Sequence, residues 1–351
     1  MAPAVVGSGG QGVVGVAVIG CGRIGQVHCK ALSTISSAKV VVVADFFEKA
    51  AIACAESFGI QRYTKDWKLA VSGSDVDAVL ICSPSNTHCD IIIESARQGK
   101  HIFVEKPIDY EIPRIDQALA AVASAGVKLQ VGFQRRFDAN FMRVKKAVSE
   151  GEIGHPFMLS ITSRDPAPPP IEYVKQSGGI LYDMAIHDMD MARFVMGCEA
   201  VEISTMAASF SEEISAVGDY TTVIISIRFE NGAIGAIQCC RKAVYGYDQR
   251  IEVLGSSGAV EIGNNYPNAA VVSTTNGISR DLPLNFFMDR YAEAYGREIH
   301  EFIGAIVNNT PTKVQGIDGK QPVLMALAAT KSLQEGRTVK LSEVMYSSSK
   351  L

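Results

Sequence analysis

The chain is 351 residues long, with 47% hydrophobic and 20% charged residues and a formal net charge of -4. This composition excludes a disordered chain, and its slight acidity argues against a nucleic-acid partner, whose phosphates it would repel. The length points to two domains, each large enough to close its own apolar core.

Residues 1–13, MAPAVVGSGGQGV, lack the basic start and continuous apolar stretch of a secretory signal and are expected to form a flexible arm. From Val14 to about Phe133, apolar β-rich runs (VGVAVIG, KVVVVAD, VDAVLICS, HIFVEK, KLQVGF) alternate with amphipathic segments around GQVHCKAL, FEKAAIACAESF, HCDIIIESARQG and IDQALAAVASAG. That alternation predicts a doubly wound parallel sheet of the Rossmann type over residues 14–135, and the last helix is expected to cap on Gly126. After Gly151 the strands alternate apolar and polar residues, as in YTTVIISIRFENGAIGAIQCCRK, and Asn231-Gly232 is a strong hairpin signal. Residues 136–341 are therefore expected to form an α+β domain with an open, largely antiparallel sheet, to which AAVVSTTNG would contribute a strand. ILYDMAIHDMDMARF reads as a covering helix, and of the two late helices around REIHEFIGAIV and KQPVLMALAATKSLQ, the second is expected to return to the first domain. No apolar stretch is long and uniform enough to span a bilayer, so no membrane partner is expected.

The eight cysteines, Cys21, Cys29, Cys54, Cys82, Cys89, Cys198, Cys239 and Cys240, show no C-x-x-C spacing and read as small apolar residues in a reducing compartment. Histidines at metal-ligand spacing are absent and no metal is expected.

VGVAVIG runs into Gly20-Cys21-Gly22-Arg23-Ile24-Gly25 and then a helix, with Asp45 closing the next strand. In this context Gly20 supplies the tight turn, Gly22 the close approach of backbone to a pyrophosphate, and Gly25 the contact of helix with strand. Asp45 suits the ribose diol of NAD and would repel a 2'-phosphate, which makes NADP the less favoured cofactor; Phe46-Phe47 supplies no arginine for it. The strand HIFVEK brings Glu105-Lys106-Pro107 to the ligand-binding edge. Asp183 and His187 stand four residues apart on one helix face, and a histidine matches the task of taking a hydroxyl proton near neutral pH.

The blocks GCGRIGQVH, PSNTH with Glu105-Lys106-Pro107, GFQRRFD and DMAIH, spread between about Gly15 and Leu341, resemble the glucose-fructose oxidoreductase/inositol dehydrogenase/rhizopine-catabolism (Gfo/Idh/MocA) superfamily, and within it the inositol 2-dehydrogenases. The resemblance implies an NAD-dependent dehydrogenase that oxidises a secondary hydroxyl of a cyclic polyol, myo-inositol first, with another sugar or sugar derivative as alternative. A non-catalytic nucleotide sensor of the same fold is the second alternative. It makes Lys106, Asp183 and His187 the catalytic set, with His187 as acid/base. It places Ser83, Pro84, Asn86, His88, Glu105 and Arg135 beside the cofactor with Gly20, Gly22, Arg23, Ile24, Gly25 and Asp45, and it draws Arg164, Asp165, Tyr245 and Tyr247 toward the substrate. For His28 and His88, packing and cofactor contact are both open. A homo-oligomer, dimer or tetramer, is expected from the same resemblance. The last residues, 342–351, read as a tail whose Ser349-Lys350-Leu351 is the address read by the peroxisomal import receptor; a cytoplasmic location is the alternative.

Overall fold

The computed structural model describes residues 12–345, so nearly all of the expected N-terminal arm and the Ser349-Lys350-Leu351 tripeptide lie outside the described residues. The chain divides into two compact units. One runs up to Gln134 and adds Glu293–Lys320; the other is Arg135–Ala292 and the chain from Gln321 onward.

The first unit holds six strands, β1 (Val14–Ile19), β2 (Ala38–Ala44), β3 (Tyr63–Thr64), β4 (Ala78–Ile81), β5 (His101–Glu105) and β6 (Leu129–Gly132). They pair in the order β3-β2-β1-β4-β5-β6, all parallel. Every residue of β1 and β4 is buried, as the continuous apolar runs require of strands covered on both faces. Four crossover helices, Arg23–Leu32, Glu48–Phe58, His88–Arg97 and Ile112–Ala125, fall where the amphipathic segments predict them. The last ends on Gly126 at φ 66°, the left-handed cap anticipated from the sequence. The two-residue β3 and the short helix Trp67–Val71 carry too few residues for periodicity to reveal them.

Both late helices contribute to this unit, the earlier one, Ala292–Val307, along almost its whole length. Its Ile299, Phe302 and Ile303 are fully buried in one core with Val16, Val18, Leu80 and Phe103. KQPVLMALAATKSLQ lies in the helix Gly316–Glu335, whose start up to Lys320 does return to this unit, with Gly316 against Leu119 and Leu129, while the helix from Gln321 onward belongs to the second unit. The apolar stripe of Ala292–Val307 was legible; the surface it covers was not.

The second unit is built on β7 (Pro156–Arg164), β8 (Ala200–Ala208), β9 (Thr222–Phe229), β10 (Ile234–Cys240), β11 (Asp248–Gly255) and β12 (Gly258–Ile262). A separate hairpin of β13 (Val271–Thr274) and β14 (Gly277–Arg280) follows, and β15 (Val339–Lys340) closes the large sheet in the order β12-β11-β7-β10-β9-β8-β15. Only β7 and β10 pair in parallel. The hairpin at Asn231-Gly232 forms as its sequence demands, with Gly232 at φ 85° and the Asn231 side chain accepting from the Ala233 N–H. AAVVSTTNG does not join the large sheet as expected: it pairs only within its own hairpin, whose residues are all exposed, because it offers no alternation that would bury one face. ILYDMAIHDMDMARF is also not one regular helix. Leu181–Ala185 is a π-type turn that leads into the α-helix Ile186–Met196, which lies against β7 and β10. All eight thiols are free and six of them are buried.

Truncating Phe302 to alanine, which empties a fully buried site in the first core, should lower unfolding free energy by about 3–5 kcal/mol. Urea unfolding followed by circular dichroism would measure it, and a loss below ~1 kcal/mol would show that the helix is not part of that core.

Candidate active site

In the first unit, the candidate residues collect at the carboxyl ends of the parallel strands, where the strand order turns back on either side of β1 and β4. Gly20 leaves β1 at φ 95° and its N–H donates to the Ala44 carbonyl at 2.7 Å. A Cβ on Gly25 would stand 2.0 Å from the Gly20 carbonyl oxygen, so only glycine lets the helix Arg23–Leu32 start against the strand. Gly22 caps that helix with nothing within 4 Å of where a Cβ would be, Arg23 beside it is exposed, and no acidic side chain stands in the first turn to offset its positive end. Ile24 packs against the core instead of presenting a polar contact.

Asp45 follows β2 with each carboxylate oxygen oriented by backbone: Oδ2 accepts from the Cys21 N–H at 2.7 Å and Oδ1 from the Phe47 N–H at 2.8 Å. Each oxygen keeps a lone pair for a diol, and Phe46 and Phe47 stand exposed beside it. An open helix N-terminus, a backbone turn without side chains and an oriented acid together fit a dinucleotide carrying a ribose diol.

Beyond β4, Pro84 and Asn86 are exposed, while the Ser83 hydroxyl is bonded to Thr87 at 2.6 Å. Lys106 follows β5, half-buried, on a cis peptide to Pro107. Two residues expected at the cofactor turn inward. His88 is buried, with its ring nitrogens 2.8 Å from the carbonyls of Pro107 and Ser83, so it ties the Pro84 loop to the turn after Lys106. Glu105 Oε1 lies 2.7 Å from Nε2 of the wholly buried His28. Both histidines thus pack, held inside by hydrogen-bond partners that lie far from them or unmarked in the sequence.

In the second unit, the stretch Leu181–Met196 is buried except for Tyr182, Asp183, His187 and Phe194. Asp183 and His187 are therefore the ionisable pair that this element leaves reachable, and the π-type turn on which Asp183 sits is an irregularity that recurs at functional sites. Asp183 is held firmly: Tyr173 donates to Oδ1 at 2.8 Å and Arg241 to Oδ2 at 3.0 Å. Arg241, fully buried, also donates to Asp219 at 3.1 Å, and Asp219 in turn accepts the Ile180 N–H. Arg241, Asp219 and Tyr173 escaped the sequence reading because no spacing motif links them to Asp183.

Two expectations fail here. Arg135 is not open to solvent: it is buried, donates to Asp188 at 2.6 Å and reaches Ser163 and the Tyr247 hydroxyl at 3.5 Å. Tyr247 is buried with it, and burial drives its phenol well above the usual range. Asp188 is wholly buried, and a buried carboxylate left without a cation would be strongly destabilising, which draws the guanidinium inward. Arg164 and Tyr245 remain partly accessible and joined, Nη1 donating to the hydroxyl at 2.7 Å, with Tyr245 donating to Asp248 at 2.6 Å. Asp165 is partly covered, and burial, reinforced by the charge of Asp183, pushes its carboxyl up to about 6.

Residues 14–133 match the model described as oxidoreductase family, NAD-binding Rossmann fold, and residues 141–261 match the GFO/IDH/MocA C-terminal domain. The chain is 43% identical to the myo-inositol 2-dehydrogenase of Thermotoga maritima, over 94% of this chain and 99% of that protein. It is 45% identical to the inositol 2-dehydrogenase of Rhizobium meliloti, over 93% of this chain and 98% of that protein. Among solved structures, the scyllo-inositol dehydrogenase of Lactobacillus casei with bound NAD(H) and scyllo-inositol superposes at a TM-score of 0.89, with 28% identity over 94% of this chain and 99% of that one.

The raised carboxyl of Asp165 has a stability signature. Its contribution is complete below the ordinary value of 3.8 and is lost as pH rises through about 6, because the unfolded chain gives up the proton first. Asp165→Asn should therefore flatten the fall in melting temperature across that window; an unchanged pH profile would contradict the assignment.

Proposed function

We propose, from the premise that the chain belongs to the GFO/IDH/MocA family of NAD-dependent oxidoreductases, that it oxidises a secondary hydroxyl of a cyclic polyol, myo-inositol to 2-keto-myo-inositol, with NAD as acceptor. One observation carries this reading: the likeness to inositol 2-dehydrogenases extends along both units, and a dinucleotide fold alone would say nothing of the substrate.

Bound NAD supplies the hydride acceptor. The Gly20–Gly25 turn and the helix start would hold its pyrophosphate, and Asp45 its adenine ribose. His187 takes the hydroxyl proton as the carbonyl forms, since an imidazole changes charge near neutral pH. Lys106 donates a charge-assisted hydrogen bond to the oxygen on which negative charge develops. Asp183, anchored by Arg241 and Tyr173, orients the imidazole or a neighbouring substrate hydroxyl. Arg164 and Tyr245 are the second unit's candidates for the remaining hydroxyls.

The outer face of the large sheet supports a homo-oligomer. Met158 pairs in register with Ile234 on one side and Leu254 on the other, and Ile224 pairs with Met206; all five are exposed. A second copy covering this apolar face is the reading, and light scattering that returns a monomer would overturn it. For Ser349-Lys350-Leu351 the reading is a peroxisomal address. A fluorescent protein ending in the tripeptide should colocalise with peroxisomes, and a diffuse signal like that of the untagged control would remove it.

The function is tested by following reduced nicotinamide with myo-inositol, scyllo-inositol, glucose and xylose side by side. Turnover is expected with myo-inositol, and Lys106→Ala and His187→Ala should each lower kcat by about 10²–10⁴-fold while NAD binding survives. Preference for an aldose would replace the substrate, near-parental kcat in either variant would remove the catalytic assignment, and NAD binding without turnover on any of the four would point to a sensor.

A further inference from the structure

Within the first unit, three ionisable side chains from three elements meet, Glu105 alone keeping some exposure: His28 of the helix Arg23–Leu32, Glu105 of β5 and Glu298 of the helix Ala292–Val307. One nitrogen or carboxylate oxygen from each lies within 4.8 Å of the others. His28 and Glu298 are both 0% exposed. The His28–Glu105 hydrogen bond at 2.7 Å uses Nε2, and Nδ1 has no partner. Neither carboxyl oxygen of Glu298 is hydrogen-bonded, although Gln130 Nε2 donates to the Glu298 backbone carbonyl at 2.8 Å and fixes that turn of helix beside the cluster.

An ionised carboxylate sealed from water without a donor or cation is costly, and a second carboxyl beside it raises the cost further. A proton on Glu298 removes both penalties. A divalent cation held by the three is the competing solution, but ligand atoms about 2.1 Å from a tetrahedral metal sit roughly 3.4 Å apart. The 2.7 Å His28–Glu105 separation is that of a direct hydrogen bond instead.

We propose that Glu298 is a neutral carboxylic acid at neutral pH and a positioning residue, whose hydroxyl faces Glu105 and steadies the His28–Glu105 pair that anchors the strand end presenting Lys106. Its tie to Lys106 rests on the catalytic reading given above; its protonation does not. Glu105, His28 and the buried Cys82 thiol are the titratable groups that face it, and none of them is a fixed cation. Burial, then the charge of Glu105, holds the Glu298 carboxyl well above the ordinary carboxylate range.

Folding then takes up a proton at neutral pH. Stability from this group is complete below the ordinary value of 4.5 and is lost progressively as pH rises toward its folded value. Glu298→Gln keeps the shape and drops the titration, so it should match the parent near pH 4.5 and exceed it increasingly toward pH 8 in urea-unfolding midpoints. A protonated-carboxyl stretch should be present in the parent's infrared spectrum and missing from that of Glu298→Gln. A Glu298→Gln variant less stable than the parent at pH 8, no such stretch, or one equivalent of divalent metal that is lost in the variant would overturn the proton. The positioning role is read separately: Glu298→Ala should lower kcat by about tenfold, and Glu298→Gln should recover most of that loss. Failure of Gln to rescue removes the positioning role. If the parent has no polyol activity, the spectroscopic and stability measurements still decide whether the proton is there.

Discussion

Helix Arg23–Leu32 begins so close to the end of β1 that a single methyl group on Gly25 would fall 2.0 Å from the Gly20 carbonyl oxygen. This approach fixes where the helix starts, and so where its unpaired N–H groups and positive end point. It also brings the Cys21 N–H within reach of Asp45, whose carboxylate is thereby set at the end of β2. The remaining parts of the edge inherit their places from strand pairing: β4 beside β1 delivers the Ser83–His88 loop, and β5 beside β4 delivers Lys106. His88 joins those two segments from beneath, and His28 holds Glu105 next to Lys106. Residues that look like ligand contacts in sequence thus act one layer below the surface that would touch a ligand.

The second unit solves a different problem, that of holding a carboxylate and an imidazole available on an element otherwise buried nearly all round. Arg241 carries the solution: wholly buried, it divides its donors between Asp183 and Asp219, so both acids are compensated without exposing the helix. Asp219 also receives the Ile180 N–H, which leads directly into the π-type turn bearing Asp183. Arg135 and Asp188 form a second ion pair inside this unit, buried on both sides.

The sheet architecture was legible because both strand patterns are physical necessities. Strands covered on both faces must be apolar throughout, as VGVAVI and AVLI are, and strands covered on one face must alternate, as TVIISIRF does. The glycines and Asp45 were legible because each answers to a steric or electrostatic demand at a set spacing. The partners of the helix Ala292–Val307 were not, since an apolar stripe says that a surface is covered and not which one. For the same reason the inward turn of His88, Arg135 and Tyr247 was hidden: a side chain's direction depends on neighbours far away in the chain, such as Asp188 for Arg135. Glu298 escaped notice altogether, because a glutamate in an amphipathic helix reads as its solvated side until the fold shows which residue lies opposite.

In the proposed function a hydride leaves a carbinol carbon of inositol for the nicotinamide. The most direct measurement is mass spectrometry of the reduced cofactor after incubation with myo-inositol carrying deuterium at C2. One deuterium on the nicotinamide ring is the expected result. Reduced cofactor without deuterium would show that another carbon is oxidised, and no reduced cofactor at all would rule out oxidation of myo-inositol.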